Sequence, residues 1–191
     1  MAQRPRVLAG VREPVLEIGF GTGLNLAYYP KHINELHIIE PNPGMRPILR
    51  RRLRNSPIKV RPAQLLNGRA LPFAENAFEC VVCTWTLCSI AEVGFSLSEI
   101  HRVLRPGGTF HFIEHGLSPE PYVARWQHRL NPLQLIIADG CHLNRPIAAL
   151  VGEQPFIWET DERFHLANTP KFAGYTYRGV VRKTPHSERT R

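Results

Sequence analysis

Residues 15–23, VLEIGFGTG, constrain the fold more than any other stretch, because an apolar run ends in closely spaced glycines and passes directly into LNLAYY, which reads as a helix. A strand, a tight glycine turn and a helix in that order present backbone N–H groups at one point, where a nucleotide-like ligand can approach the chain closely. A cofactor-binding α/β domain is the expectation.

The glycine spacing narrows the cofactor. Gly19, Gly21 and Gly23 give GxGxG, and Leu24 stands where the dinucleotide fingerprint needs Gly or Ala, which disfavours a nicotinamide or flavin. No GK[ST] follows the glycines, so a Walker phosphate loop is excluded. Glu17, two residues before the first glycine, would repel a pyrophosphate but suits a ligand with ammonium and sulfonium charges, which points to S-adenosylmethionine. LHIIEPNPGM, residues 36–45, is a short apolar strand that stops at Glu40 and Pro41. This places a carboxylate about 20 residues after the glycine loop, where such folds bind ribose. One carboxylate can accept from both ribose hydroxyls, at about 1.5–3 kcal/mol for each bond to a charged group.

Alternating patterns predict strands near 15–18, 36–39, 58–60, 78–84 and 109–114, with helices near 24–29, 44–54 and 92–104. That alternation implies a parallel sheet with helices on both faces, whose strand C-termini meet at one edge. Gly23, Glu40, Thr84 and His115 should all lie there. At 191 residues the chain can bury about 70% of its unfolded surface in one core. A single domain is expected over 15–183, with residues 1–14 and 184–191 as polar, flexible ends. No signal peptide or bilayer-spanning run is read, so the default is a cytoplasmic protein without a transmembrane segment.

The formal charge of +8 and the cluster Arg50, Arg51, Arg52 and Arg54 raise the question of nucleic acid. The basic residues are scattered along the chain, however, and RPILRRRLR places Ile48, Leu49 and Leu53 on an apolar helix face opposite a solvated basic one. The aromatic residues that would interleave a single-strand groove are missing from it. Nucleic acid is therefore not an expected partner. Cys80 and Cys83 form a CxxC inside a strand, so they should face opposite sides of the sheet rather than share a metal.

VLEIGFGTGLNLAYYP, IIEPNPGM, LPFAENAFECVVCTWTLCSI and LRPGGTFHFIEH resemble, in order and spacing, the successive motifs of class I S-adenosylmethionine-dependent methyltransferases, over most of residues 14–183. Within them VVCTWTLCSI, IEHG, ARWQHRLNPLQ and DGCHLNR look most like small bacterial relatives of the mammalian thiol methyltransferase-like proteins. The resemblance implies a Rossmann-like, doubly wound, mostly parallel seven-stranded sheet with an antiparallel last strand, adding strands near 155–160 and 174–182 and helices over about 121–151. It also implies S-adenosyl-L-methionine as cofactor, held by Glu17, Gly19, Gly21, Thr22, Gly23, Glu40, Pro41, Asn67 and Thr84.

Two departures from the family pattern stand out. Between residues 60 and 73 the usual acidic contact to adenine is absent, leaving Asn67 or Gln64 as an uncharged substitute. The helices that normally precede the first strand are not read here, so an exposed apolar flank is expected, one that a second subunit, a membrane surface or a longer natural start would cover. A homodimer and peripheral membrane contact are expectations on that ground, while the hydrophobic anchor of the mammalian relatives is not carried over.

The implied acceptor is a small-molecule alkyl thiol or sulfide. Methyl transfer needs the acceptor held in line with the sulfonium, and a cationic or basic group would raise the thiolate fraction. His115, at the end of HFIEH, and His142, in DGCHLNR, are the candidates; Cys88 and Cys141 are candidate substrate contacts. Methylation of a lipid amine or quinone-type carbon, or cofactor binding without catalysis, are the alternatives.

Overall fold

The computed structural model describes residues 3–40, 46–65, 69–138 and 140–184. Seven strands, β1 (Val15–Ile18), β2 (Glu35–Ile39), β3 (Lys59–Ala63), β4 (Phe78–Thr84), β5 (Leu104–His115), β6 (Phe156–His165) and β7 (Tyr175–Lys183), form one sheet in the order β3-β2-β1-β4-β5-β7-β6. The first five are mutually parallel, and β7 runs antiparallel between β5 and β6. This is the Rossmann-like, doubly wound arrangement expected, and the strand order reverses at β1 and β4, where such sheets bind their ligands.

The central strands are buried on both faces, as parallel strands under helices must be. On one face Leu16, Ile18, Val81, Cys83, Phe110 and Phe112 pack with Leu97, Ile100 and Val103 of α3 (Val93–Val103) and Val151 of α5 (Ile147–Gly152). On the other, Val15, Cys80, Val82 and Ile113 pack with Leu49 of α2 (Arg46–Arg54) and with Val7 and Leu8 of α1 (Arg4–Leu8). Cys80 and Cys83 thus fall into different cores, as their spacing requires.

The N-terminus departs from the expectation of a loose tail. Residues 4–8 form a helix, and Val7, Leu8 and Val11 are almost fully buried against the sheet. These three apolar side chains join the core on the same face as Val15, Cys80 and Val82. The large exposed apolar side chains lie mostly elsewhere, on α4 (Pro121–Ile137), where Tyr122, Trp126, Leu133, Ile136 and Ile137 project outward. Among the described residues no helix is long and apolar enough to cross a membrane.

Smaller differences have local causes. LNLA closes only a 3-10 turn, Leu24–Ala27, because Gly23 enters it in the left-handed region at φ 75°. β5 begins five residues before its expected start, with the Arg-Pro-Gly-Gly segment bulging between the Phe78–Leu104 and Cys80–Thr109 pairs. β6 extends to His165 as a polar edge strand, and a run such as ETDER carries little apolar signal. In α2, Leu49 is buried and Leu53 half-buried, but Ile48 is exposed rather than part of the apolar face.

Candidate functional site

The loop after β1 is shaped by its glycines. Gly19, Gly21 and Gly23 all have positive φ, of 73°, 56° and 75°. At Gly19 a side chain is also sterically excluded, since a Cβ would lie 2.0 Å from the Thr86 hydroxyl. At Gly21, by contrast, no atom of the described residues lies within 4 Å of a Cβ position, which leaves room for a ligand against this backbone. The Gly21 N–H donates to Glu40 Oε2, and the Gly19 N–H donates to Ile39 O at 2.9 Å. The first glycine turn is thereby tied to the C-terminus of β2.

Thr22 accepts from the Arg52 guanidinium through both its hydroxyl and its carbonyl, the latter at 2.6 Å. One arginine of the α2 cluster thus braces the glycine loop. Beside the loop a cavity of about 260 Å³ is lined by Ile18, Gly19, Ile39, Leu65, Thr86 and Phe95, among others. Apolar walls next to a ribose-height carboxylate suit a flat heterocycle joined to a sugar.

Glu17 is only 1% exposed, and its carboxylate accepts from Asn25 Nδ2 at 2.8 Å and from the Tyr29 hydroxyl at 2.6 Å. Burial pushes its pKa up to about 7, against the pull of those two donors. Its carboxylate is thereby tied to the loop from beneath. Thr84, at the end of β4, is likewise 6% exposed, and its hydroxyl lies 3.1 Å from Asn25 Nδ2 and 3.1 Å from Arg4 Nη1.

Arg4 completes this polar cluster. It donates to Asn25 Oδ1, and its guanidinium lies 4.7 Å from the centre of the Trp85 ring. Sequence reading missed Arg4, Asn25, Tyr29 and Trp85. Asn25 carried a signal, being polar in an apolar turn next to the glycines, whereas Arg4 carried none beyond being one arginine among twenty.

Glu114 was also missed. Its fully buried carboxylate accepts the N–H groups of Thr86, Leu87 and Cys88 at 2.9, 3.0 and 3.2 Å, fixing the loop after β4. Burial raises its pKa to about 7 in spite of those donors.

His115 ends β5 with its ring 6.3 Å from that of Trp85, so it belongs to the strand edge as expected. Its Nδ1 is buried and makes no hydrogen bond of good geometry among the described residues. His142 lies farther along the same rim, its N–H donating to Cys88 O at 2.9 Å and its ring near Asn131. Burial lowers the pKa of both imidazoles, with Arg145 adding to the effect at His142. Cys88 and Cys141 meet, with sulfurs 3.3 Å apart. Pro41 and Asn67 lie outside the described residues. Gln64, the other amide considered for adenine, is exposed after β3.

Residues 16–112 match the family described as a methyltransferase domain. The chain belongs to this family. Among curated proteins, this methyltransferase-family chain is 35% identical over 134 residues to thiol S-methyltransferase TMT1B of Rattus norvegicus, an alignment covering 69% of this chain and 54% of that protein. It is 40% identical over 77 residues to a demethylmenaquinone methyltransferase of Symbiobacterium thermophilum, covering 40% of this chain and 31% of the other. The chain thus spans about half the length of the thiol S-methyltransferase. Among solved structures, a SAM-dependent methyltransferase from Methanosarcina mazei superposes with a TM-score of 0.69 at 17% identity, over 95% of this chain and 98% of that one. At that identity the likeness concerns the methyltransferase fold.

Proposed function

We propose that this chain moves the sulfonium methyl group of S-adenosylmethionine to a small-molecule acceptor, with an alkyl thiol or sulfide as the first choice. The observation that carries the reading is the junction of Gly21 and Glu40 beside an apolar cavity at the switch point of the sheet. It supplies accessible backbone, a carboxylate for ribose hydroxyls and apolar walls for a base. When bound, the cofactor would supply an electrophilic methyl group.

The chain's own residues divide the remaining work. Arg4, partly buried against Trp85 and next to Asn25 and Thr84, offers a cation for the cofactor's carboxylate. Glu17 and Tyr29 hold Asn25 in place beneath it. His115 is our candidate proton acceptor for an acceptor thiol, at the strand edge beside Trp85, where burial lowers its pKa and so favours the neutral imidazole. His142 is placed second, as its ring faces Asn131 on the Cys88 side of the rim.

Thiol methylation is favoured over quinone methylation because the match to the thiol S-methyltransferase spans 69% of this chain, against 40% for the demethylmenaquinone enzyme. The test is to incubate the purified chain with S-adenosylmethionine and, separately, a short alkyl thiol, a reduced quinone and a primary amine, and to measure S-adenosylhomocysteine and methylated product. Thioether formed from the thiol alone supports the first reading, and C-methylation of the quinol supports the second. Binding of the cofactor with no product from any acceptor would contradict both and leave a cofactor-binding protein.

A further inference from the structure

We infer that Cys88 and Cys141 form a dithiol that a hydroperoxide converts to an intramolecular disulfide, a modification site on the rim of the proposed methyl-transfer cleft. The two residues are 53 positions apart in the chain, one in the loop after β4 and the other in the turn after α4, yet their sulfurs stand 3.3 Å apart. A disulfide bond is about 2.05 Å long, so a small rotation of the two side chains would close it.

The backbones that carry the thiols are already fastened together. The His142 N–H donates to Cys88 O at 2.9 Å, and Arg145 Nη1 donates to Leu87 O at 2.8 Å. Closing the bond therefore requires little ordering of either segment. Cys80 and Cys83, the remaining cysteines, point into opposite cores and cannot compete as a pair.

The two sulfurs are not equivalent. Both are buried, but Cys141, 8% exposed, lies nearer the surface than Cys88, 1% exposed, which favours Cys141 as the first point of attack. Their shared hydrogen bond favours the thiolate on Cys141, and the Arg145 charge favours it further. The same contact, with burial and the neighbouring Glu114 carboxylate, holds Cys88 protonated. Thiolate on the less deeply buried member is the form that attacks peroxide.

The chemistry balances in two steps. The Cys141 thiolate attacks one oxygen of hydrogen peroxide, the O–O bond breaks, and uptake of one proton gives a sulfenic acid and water. The Cys88 sulfur then attacks the Cys141 sulfur, its proton leaves with the sulfenic oxygen, and a second water is released. Two thiols are oxidised by two electrons in total, and one peroxide is reduced to two waters. Closure would constrain the loop after β4, in which Thr86 lines the cavity beside Gly19, and so slow methyl transfer. That last consequence rests on the functional reading above, whereas disulfide formation does not.

The test uses the full chain, reduced, desalted and exposed to a small excess of hydrogen peroxide. The protein is then denatured, its free thiols are blocked with N-ethylmaleimide, and intact mass and peptide masses are measured. Of the four cysteines, two should escape blocking, joined in one peptide pair containing Cys88 and Cys141 and released by dithiothreitol. In Cys88→Ser the intermediate should persist and be trapped at Cys141 by dimedone. All four thiols still blocked after peroxide, or a linkage through Cys80 or Cys83, would overturn the inference. Because the wild-type chain gives the decisive reading, neither a poorly folding variant nor an absence of methyl transfer would obscure it.

Discussion

The Gly21 N–H donates to the Glu40 carboxylate, so the tip of the glycine loop and the C-terminus of β2 form one unit. These residues are 19 positions apart and follow the ends of adjacent parallel strands whose register pairs Ile18 with Ile39. A parallel register of this kind necessarily places the residue after β2 beside the loop after β1. An acidic side chain there both orders the loop and points its charge at the switch point.

The glycine loop should discriminate between two alanine substitutions. Gly19→Ala places a methyl 2.0 Å from Thr86 Oγ1 and keeps a φ of 73°, so it should destabilise the fold by about 3 kcal/mol or more. Gly21→Ala meets open space and only the left-handed cost, about 1–2 kcal/mol, but crowds the ligand-facing backbone. Urea unfolding and cofactor titration should show Gly19→Ala failing chiefly in stability and Gly21→Ala chiefly in binding.

Glu17 gives a pH dependence with a definite sign. Its folded pKa of about 7 exceeds the ordinary value of 4.5, so between those values the folded protein holds a proton that the unfolded chain has released. Stability from this group is present below about pH 4.5 and is lost as pH rises to about 7. At about 1.4 kcal/mol per unit, the change between pH 5 and pH 8 is about 2 kcal/mol. Denaturation of wild type and Glu17→Gln at both pH values should show the variant gaining on wild type by that amount at pH 8.

A base acting on a thiol can contribute only what ionisation leaves undone. A thiol of pKa about 8.5 is about 3% thiolate at pH 7, so His115→Ala should reduce kcat for a thiol acceptor by at most about 30-fold at pH 7. The deficit should shrink toward unity near pH 9, where the acceptor ionises by itself. Steady-state rates across that range would check it. A deficit independent of pH would assign His115 a packing role.

The sheet was legible because parallel strands buried on both faces read as apolar runs, and β1 and β4 fall within their expected bounds. The edge strand β6 was read short because its exposed residues are charged, and α1 was missed because Val7, Leu8 and Val11 are only three apolar positions in a polar stretch. At the site, Gly19, Gly21 and Glu40 were readable since backbone freedom and strand register are local properties. Arg4 and Glu114 were not, because each reaches its partners through the tertiary fold. For Glu17, motif spacing locates a carboxylate without revealing that it accepts from Asn25 and Tyr29.

The central claim is that the Gly21 and Glu40 unit holds S-adenosylmethionine, and isothermal titration of the wild-type chain and Glu40→Ala tests it most directly. Loss of even one charge-assisted bond, at about 1.5–3 kcal/mol, predicts affinity weakened about tenfold or more in a variant that still unfolds cooperatively. Equal affinity in the two proteins, or no binding by the wild type, would contradict the account.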